Sequence, residues 1–337
     1  MPLPQHLISL AQLLAPGFGP NARFDAEPVA NATMFIERQL THLRSKIVDV
    51  QYSPLKALKY LPLATDIPID ASTYAWQVYD ITGRARIGNI NAKDIPRVDT
   101  NAKELQGKVV SILDSYGWTV QDLRTAARLQ QDLPTRKAMA ARTAINREID
   151  EIMRTGFSTS TGQTATALGG FVNCSDVNYS SVTTHNWFLT AGTTTPEQMV
   201  ADLNVLAFQP FINTKELYAP DTLILSNGMY KIATMTKMSS ASSISVLKYF
   251  LDNNPFIKNV DTWYALDDAG HTTGYDRAIA YARTAEVLEA VLPIQFEQFP
   301  AQQEGLEYVI PCHARCGGVK IYQPAAMQYA DFSTALT

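Results

Sequence analysis

The chain has 337 residues, 46% hydrophobic and 18% charged, so it can bury a substantial core and is long enough for about two domains. Its formal charge of −4 excludes a protein that coats nucleic acid through a dominant basic surface, which needs many uncompensated Lys and Arg, but it does not exclude a container for nucleic acid. Three cysteines are too few for a disulfide framework and fit a reducing compartment. The apolar stretch Leu7 to Leu14 has no Lys or Arg before it and is stopped by Pro16 and Gly17, and no other apolar run approaches the roughly 20 residues of a membrane helix, so a soluble protein is expected.

Residues 1–32 combine a short Leu-rich stretch with Pro16, Gly17, Gly19, Pro20 and Pro28, which reads as an arm that needs another surface to pack on. From Thr33 to about Val50, Phe35, Ile36, Leu40, Leu43 and Ile47 recur at helical steps, and Pro54 and Pro62 end that regularity. Between about Thr65 and Gly117 the pattern becomes extended. One strand is expected around Tyr74, Trp76 and Val78, Gly83 offers a turn, and a second strand is expected from Lys108 to Tyr116. The polar stretch between them holds Arg84, Arg86, Lys93, Asp94, Arg97, Asp99 and Lys103. A long hairpin with a polar tip is marginal alone in water, so it points to a neighbouring chain. Arg84 and Arg86 could bind phosphate, but two arginines on one side of a strand suit the carboxylates of an adjacent subunit better.

Thr119 with Asp122 forms a capping-box pattern that opens a helix to about Gln130; Pro134 starts another that runs to Arg154 before Gly156 stops it. In this second helix Ala138, Ala141, Ile145, Ile149 and Ile152 make one apolar stripe, with Arg136, Lys137, Arg147, Glu148, Asp150 and Glu151 placed on the opposite face. After a Gly/Thr/Ser-rich loop from Gly156 to Gly170, Thr195-Pro196-Glu197-Gln198 supplies an N-cap, a first-turn proline and a capping-box Gln. A strand at Thr222 to Leu225, helices near Met229 to Met238 and Val246 to Leu251, strands around Val260 to Tyr264 and Arg277 to Ala282, and a strand-like Leu306 to Tyr322 follow. The chain reads as α+β without internal repeats.

Catalytic signatures are few. No phosphate loop, zinc helix, nucleophile elbow or EF-hand loop occurs, and Gly169-Gly170 lacks the third glycine and preceding strand of a dinucleotide site. Cys312-His313-Ala314-Arg315-Cys316 resembles a metal site, yet in an extended strand Cys312 and His313 point to opposite faces, so buried apolar cysteines are the better reading. Asp267-Asp268 and Glu304 with Glu307 read as solvated loops. No cofactor or metal is expected.

The order of parts, together with Phe35 to Ser45 (FIERQLTHLRS), Pro96-Arg97-Val98-Asp99, Asp114-Ser115-Tyr116-Gly117, Leu133 to Ile152 and above all Phe296 to Tyr322 (FEQFPAQQEGLEYVIPCHARCGGVKIY), resembles the encapsulin-like major capsid proteins of tailed bacteriophages, which have the Hong Kong 97-type fold. The resemblance covers about residues 33 to 331. It implies an N-terminal arm (1–32), an N-terminal helix and connection (33–64), an extended β-hairpin loop (65–117), a peripheral domain with a spine helix (118–194), an axial domain (195–300) and return strands of the peripheral domain (301–337).

The function implied is a shell subunit, not an enzyme, that self-assembles as hexamers and pentamers around double-stranded DNA in a virion, after a cytoplasmic assembly stage in the host. Other copies of the chain, portal and scaffolding proteins, and a decoration or cement protein are the implied partners. Arg84, Arg86, Lys93, Arg97, Asp99 and Lys103 are expected at inter-subunit contacts, and Met238, Ser239, Ser240 and Ser243 at the axial tip. The alternatives are a cellular encapsulin-like compartment shell and a metal-dependent enzyme using the Cys312 region. The acidic balance suits a shell that does not grip its DNA at every subunit. Use of the chain without removal of a large N-terminal piece is expected. No Lys, Asn and Glu trio matches the crosslinking pattern of the type member, so boiled heads are expected to run as monomers on a denaturing gel; a ladder of oligomers would contradict this.

Overall fold

The computed structural model describes residues 53–87, 97–129, 133–156, 169–182, 187, 194–272 and 274–333. Backbone contacts divide the chain into residues 1–53 and 54–337, and every described helix and strand belongs to the second unit. The expected arm and the helix from Thr33 to Val50 lie outside the described residues.

The centre of this unit is a five-stranded mixed sheet in the order β5 (Asn178–Val182), β14 (Met327–Ser333), β8 (Tyr275–Tyr281), β6 (Thr222–Leu225) and β7 (Asn259–Thr262). Both faces of its middle strands are covered, which is why β6 reads TLIL with every residue buried. Ile224, Ile279, Tyr281 and Tyr329 enter one core together with Ile145, Ile149, Ile152 and Met153 of the long helix α3 (Leu133–Thr155). Leu223, Leu225, Ala278, Ala280, Ala330 and Phe332 enter the other, packed on α4 (Pro196–Asn213), α5 (Asn227–Met235) and α6 (Val246–Asn253).

A buried ion pair crosses the middle of this sheet. Arg277 and Asp331 face each other in register on β8 and β14 and bond in bidentate fashion, Nε to Oδ1 at 2.7 Å and Nη2 to Oδ2 at 2.8 Å. The remaining groups are also engaged: Arg277 Nη1 donates to the Val172 carbonyl at 2.6 Å, the guanidinium lies over the Tyr329 ring, and Asp331 accepts the His271 N–H at 2.7 Å. Such saturation offsets the desolvation that makes a buried charge costly.

A second sheet combines β4 (Val110–Thr119), β10 (Ile294–Gln298), β11 (Gln302–Glu304) and β12 (Glu307–Cys316), and β4 pairs with β12 without a break from Val110 with Cys316 to Thr119 with Glu307. The expected strand Leu306 to Tyr322 is therefore two strands. At Gly318, with φ of 73°, the chain turns into β13 (Gly318–Ile321), which joins β1 (Leu63–Ala64) and β9 (Leu288–Val291) in a third sheet.

Local signals read from the residues set the helix ends. Thr119 and Asp122 exchange reciprocal bonds at the head of α2 (Val120–Leu129), Thr195 and Gln198 do the same at α4, and Gly156, with φ of 78°, closes α3 with its N–H on the Ile152 carbonyl at 2.9 Å. The expected helix Met229 to Met238 ends earlier, at Met235, and the strand expected to reach Tyr264 stops at Thr262 before a 3-10 turn over Tyr264–Leu266. Of the Gly156 to Gly170 loop, residues 157–168 lie outside the described residues, and at its end a Cβ on Gly170 would lie 2.3 Å from the Arg154 carbonyl oxygen, so the backbone passes directly over the end of α3.

The apolar stripe of α3 is as expected, but Asp150 is not on the solvent face. The short helix α1 (Ala57–Tyr60) packs on that side of α3, and Asp150, 5% exposed, accepts the buried Ala57 N–H at 2.9 Å. Burial raises its pKa above the ordinary carboxylate value, with the Ala57 bond opposing. With the folded pKa raised, its stabilising contribution is present below the unfolded pKa and is lost as pH rises through the folded one. Asp150→Asn keeps an acceptor without the desolvated charge, so urea unfolding near neutral pH should find it at least as stable as the parent, whereas Asp150→Ala should lose about 1–3 kcal/mol by stranding the Ala57 N–H.

Candidate assembly interface

A two-stranded ribbon leaves this body. β2 (Thr73–Thr82) and β3 (Asp99–Lys108) pair antiparallel in unbroken register from Thr73 with Lys108 to Thr82 with Asp99. The hairpin exists, but its second strand is not the expected one. Lys108 to Tyr116 contributes mainly to β4, whose residues Ile112, Asp114 and Tyr116 alternate inward as they should in a half-buried strand, and the supposed polar tip supplies β3. Nor is Gly83 the turn: it follows β2 with φ of 131°, where a Cβ would meet the Val98 Cα at 2.9 Å, and residues 84–87 continue in irregular structure.

The register sorts the ribbon into two faces. Tyr74, Trp76, Val78 and Asp80 share one face with Gly107, Leu105, Lys103 and Asn101; Ala75, Gln77, Tyr79 and Ile81 share the other with Gln106, Glu104, Ala102 and Thr100. Among the described residues, cover is given only to the base of the first face. There Lys320 Nζ sits 3.6 Å over the Trp76 ring, Tyr322 meets Trp76 edge-on, and Tyr74 donates to the Gly317 carbonyl at 3.3 Å. Burial lowers the pKa of Lys320 from the usual lysine value. Arg315 adds a tie just before β2, donating to the carbonyls of Ile69 and Ala71. Beyond this base Val78, Tyr79 and Ile81 are exposed on both faces, as are Ile87 and Val98 where the chain leaves and rejoins the ribbon.

The residues expected at subunit contacts fall on or near this exposed part. Arg84, Arg86 and Arg97 lie in irregular exposed segments, not side by side on a strand, and Asp99 and Lys103 lie exposed on β3 on the Val78 face. Lys93 lies outside the described residues. Among the described residues no ion pair joins Arg84, Arg86, Arg97 or Lys103 to a carboxylate. At the other expected contact, Lys237 and Ser245 bridge across a tight loop in which Met238 donates to the Ile244 carbonyl at 3.0 Å. Ser239, Ser240 and Ser243 are exposed there, and Met238 is half-buried against the second core.

The remaining candidates prove structural. Cys312 and Cys316 are buried in the first core, and burial pushes the Cys316 thiol up to about 12, while His313 points to the opposite face, 3.8 Å from Glu297. Asp267 accepts the Asn227 N–H at the head of α5, and Asp268 accepts the Gly274 N–H, so this acidic pair organises its own loop. Glu304 and Glu307 stand exposed opposite each other in the β11–β12 hairpin. Among the described residues no group of His, Cys, Asp and Glu is arranged to hold a metal, and no helix is long and apolar enough to cross a membrane.

The described residues thus combine a β ribbon that carries exposed apolar side chains with a body built on two cores. The family model for major capsid proteins matches residues 83–332. The chain belongs to the major capsid protein family. The capsid of Myoviridae phage XM1 shares its fold with a TM-score of 0.75 at 18% identity, over 93% of this chain and 99% of that one. A structure from Mycobacterium phage Ogopogo aligns with a TM-score of 0.56 at 15% identity, over 88% of this chain and 98% of that one. The capsid of an empty GTA particle aligns with a TM-score of 0.59 at 10% identity, over 94% and 100% of the two chains. A search of curated proteins gave no match. The Hong Kong 97-type fold expected from the residues is thus the fold of this capsid protein.

The ribbon's dependence on its base is open to direct test. Trp76→Ala removes the surface under Lys320, an interaction of about 0.5–2 kcal/mol, and leaves both cores intact. Amide exchange across Thr73–Lys108 should accelerate while exchange in α3 and β8 stays unchanged; uniform acceleration would mean that the ribbon is part of the global folding unit.

Proposed function

We propose that this major capsid protein assembles as hexamers and pentamers into the icosahedral head of a tailed phage, enclosing double-stranded DNA, and that its role is structural without catalysis. The observation that carries the reading is the ribbon: ten paired rows of backbone with exposed Val78, Tyr79 and Ile81, no core of its own, on a chain of the capsid family. An isolated ribbon of this kind is marginal in water, and a neighbouring copy is the surface always present in a closed shell.

In this reading residues 73–108 form the extended loop, α3 is the spine of a peripheral domain that includes the returning strand β12, and the 195–300 region with α4, α5 and α6 forms the axial domain, with the Ser239 to Ser243 loop toward the symmetry axes. Arg84, Arg86, Arg97, Asp99 and Lys103 meet the neighbouring subunit, and Lys93 is assigned there too. Portal, scaffolding and decoration proteins are further partners. A cellular compartment shell has less support, because the capsid family model matches most of the chain and the XM1 structure is a phage capsid.

Electron microscopy of the expressed chain tests this: closed shells support it, and a persistent monomer under all assembly conditions overturns it. Arg84→Ala with Arg86→Ala should give a folded subunit with nearly unchanged melting whose assembly fails or requires altered salt. Normal assembly of the double variant would show both arginines to be merely solvated; failure to fold would place them in the subunit's own core.

A further inference from the structure

At the outer edge of the central sheet, α1 and β7 border a cavity of about 480 Å³ whose wall includes Lys59, Lys258, Asn259, Asp261 and Arg283. The acids around it are already engaged. Asp261 is paired with Lys59 and lies 3.8 Å from Lys56, and Asp221 accepts the Thr222 hydroxyl at 3.0 Å and the Arg283 backbone N–H at 2.9 Å. Among the described residues no ion pair involves the side chains of Lys258 or Arg283, and both residues are exposed. The lining of the pocket itself therefore carries three cations, Lys59, Lys258 and Arg283, against one carboxylate, Asp261, in a chain whose formal charge is −4.

Two unpaired cations that line one cavity repel each other unless an anion lies between them. The flat fork of a guanidinium, a compact ammonium and a neutral amide together suit a tetrahedral oxyanion, which accepts several donors from different directions. We propose that this pocket binds a phosphate group through Lys258 and Arg283, with Asn259 beside them, and that in the filled shell the phosphate belongs to the backbone of the enclosed DNA. The second half rests on the shell reading above. One phosphate contact per subunit agrees with an acidic chain and with a shell that does not grip its DNA strongly, because a single contact is weak and fades with salt. The site would place the DNA against the shell without reading its sequence.

The test uses purified subunits with a short duplex DNA between about 0.05 and 0.2 M salt, and separately with inorganic phosphate followed by phosphorus NMR. Lys258→Ala with Arg283→Ala should make the slope of log affinity against log salt shallower by about 0.9, the value for one lost phosphate contact, and should abolish saturable broadening of the phosphate signal. Lys258→Arg with Arg283→Lys should restore both, which excludes a folding defect as the cause. A slope that changes without any effect on inorganic phosphate still supports a backbone site; loss of phosphate binding with an unchanged DNA slope overturns the DNA half and leaves a site for free phosphate. Unchanged behaviour of the double alanine variant in both arms overturns the proposal entirely. Electron micrographs of the same preparations keep the readings apart, since shells can form whether or not the pocket binds.

Discussion

A two-stranded ribbon has two faces and no interior, and the arrangement of this chain depends on how that deficit is met. At its base the body supplies what the ribbon lacks. Tyr74 lies so close to Gly107 that a Cβ there would be 2.2 Å from its ring, and a Cβ on Gly317 would strike Val291 at 2.5 Å. These two glycines let a strand, an aromatic ring and the β12–β13 turn share one crowded point. The Val109 N–H, bonded to the Ser72 carbonyl at 2.9 Å, then marks where the chain leaves the ribbon and enters the body as β4. Past Val78 no such support exists among the described residues, and Val78, Tyr79 and Ile81 stand exposed.

The body from which the ribbon extends is tightly tied together. Its stiffness comes from two devices that differ in kind. Ten consecutive pairs between β4 and β12 continue the ribbon's strand directly into the sheet that packs on α3, so a force on the ribbon meets a ladder of backbone bonds instead of a loop. Behind it, the Arg277 and Asp331 pair locks β8 to β14 at a position where sliding by one residue would leave both charges buried without partners. Apolar packing alone would tolerate small shifts; a saturated bidentate pair has one geometry.

What could be read from the residues follows from what each signal depends on. Caps are local chemistry, so Thr119 with Asp122 and Thr195 with Gln198 were legible without tertiary knowledge. The stripe of α3 and the buried strands β6 and β8 were legible because burial of one face, or both, imposes a pattern. β3 carries no such imprint. Its sequence DTNAKELQGK buries no residue fully, and alternation arises only where a face meets a core, so the strand period fell instead on β4 and the partner was misassigned. Asp150 was misplaced for the opposite reason: a carboxylate beside Ile149 reads as solvent-facing until α1, distant in sequence, supplies an N–H for it. The Cys312 motif resolved as the alternation argument required, cysteines inward and His313 outward. The Lys258 and Arg283 pocket had no sequence signal, since its parts are joined only by the sheet.

In the proposed shell, the charges on the ribbon would fit reversible assembly better than a permanent lock. Asp80, Asp99 and Glu104 are interleaved with Lys103 and Lys108, and Arg84, Arg86 and Arg97 lie just beyond the paired rows, all of them exposed. A surface of one sign would repel its own copies, and a wholly apolar one would bind them in any orientation. At a contact with another copy, mixed signs set at fixed register positions would penalise wrong orientations through like-charge contacts while adding little to the affinity of the right one. In a closed shell each contact recurs by symmetry, so the total stability can be large although each contact is weak enough to break and re-form. In the proposed shell, weak and register-specific pairing would let a misplaced subunit leave before the shell closes around it, and the exposed apolar residues would supply the cohesion that charge alone does not.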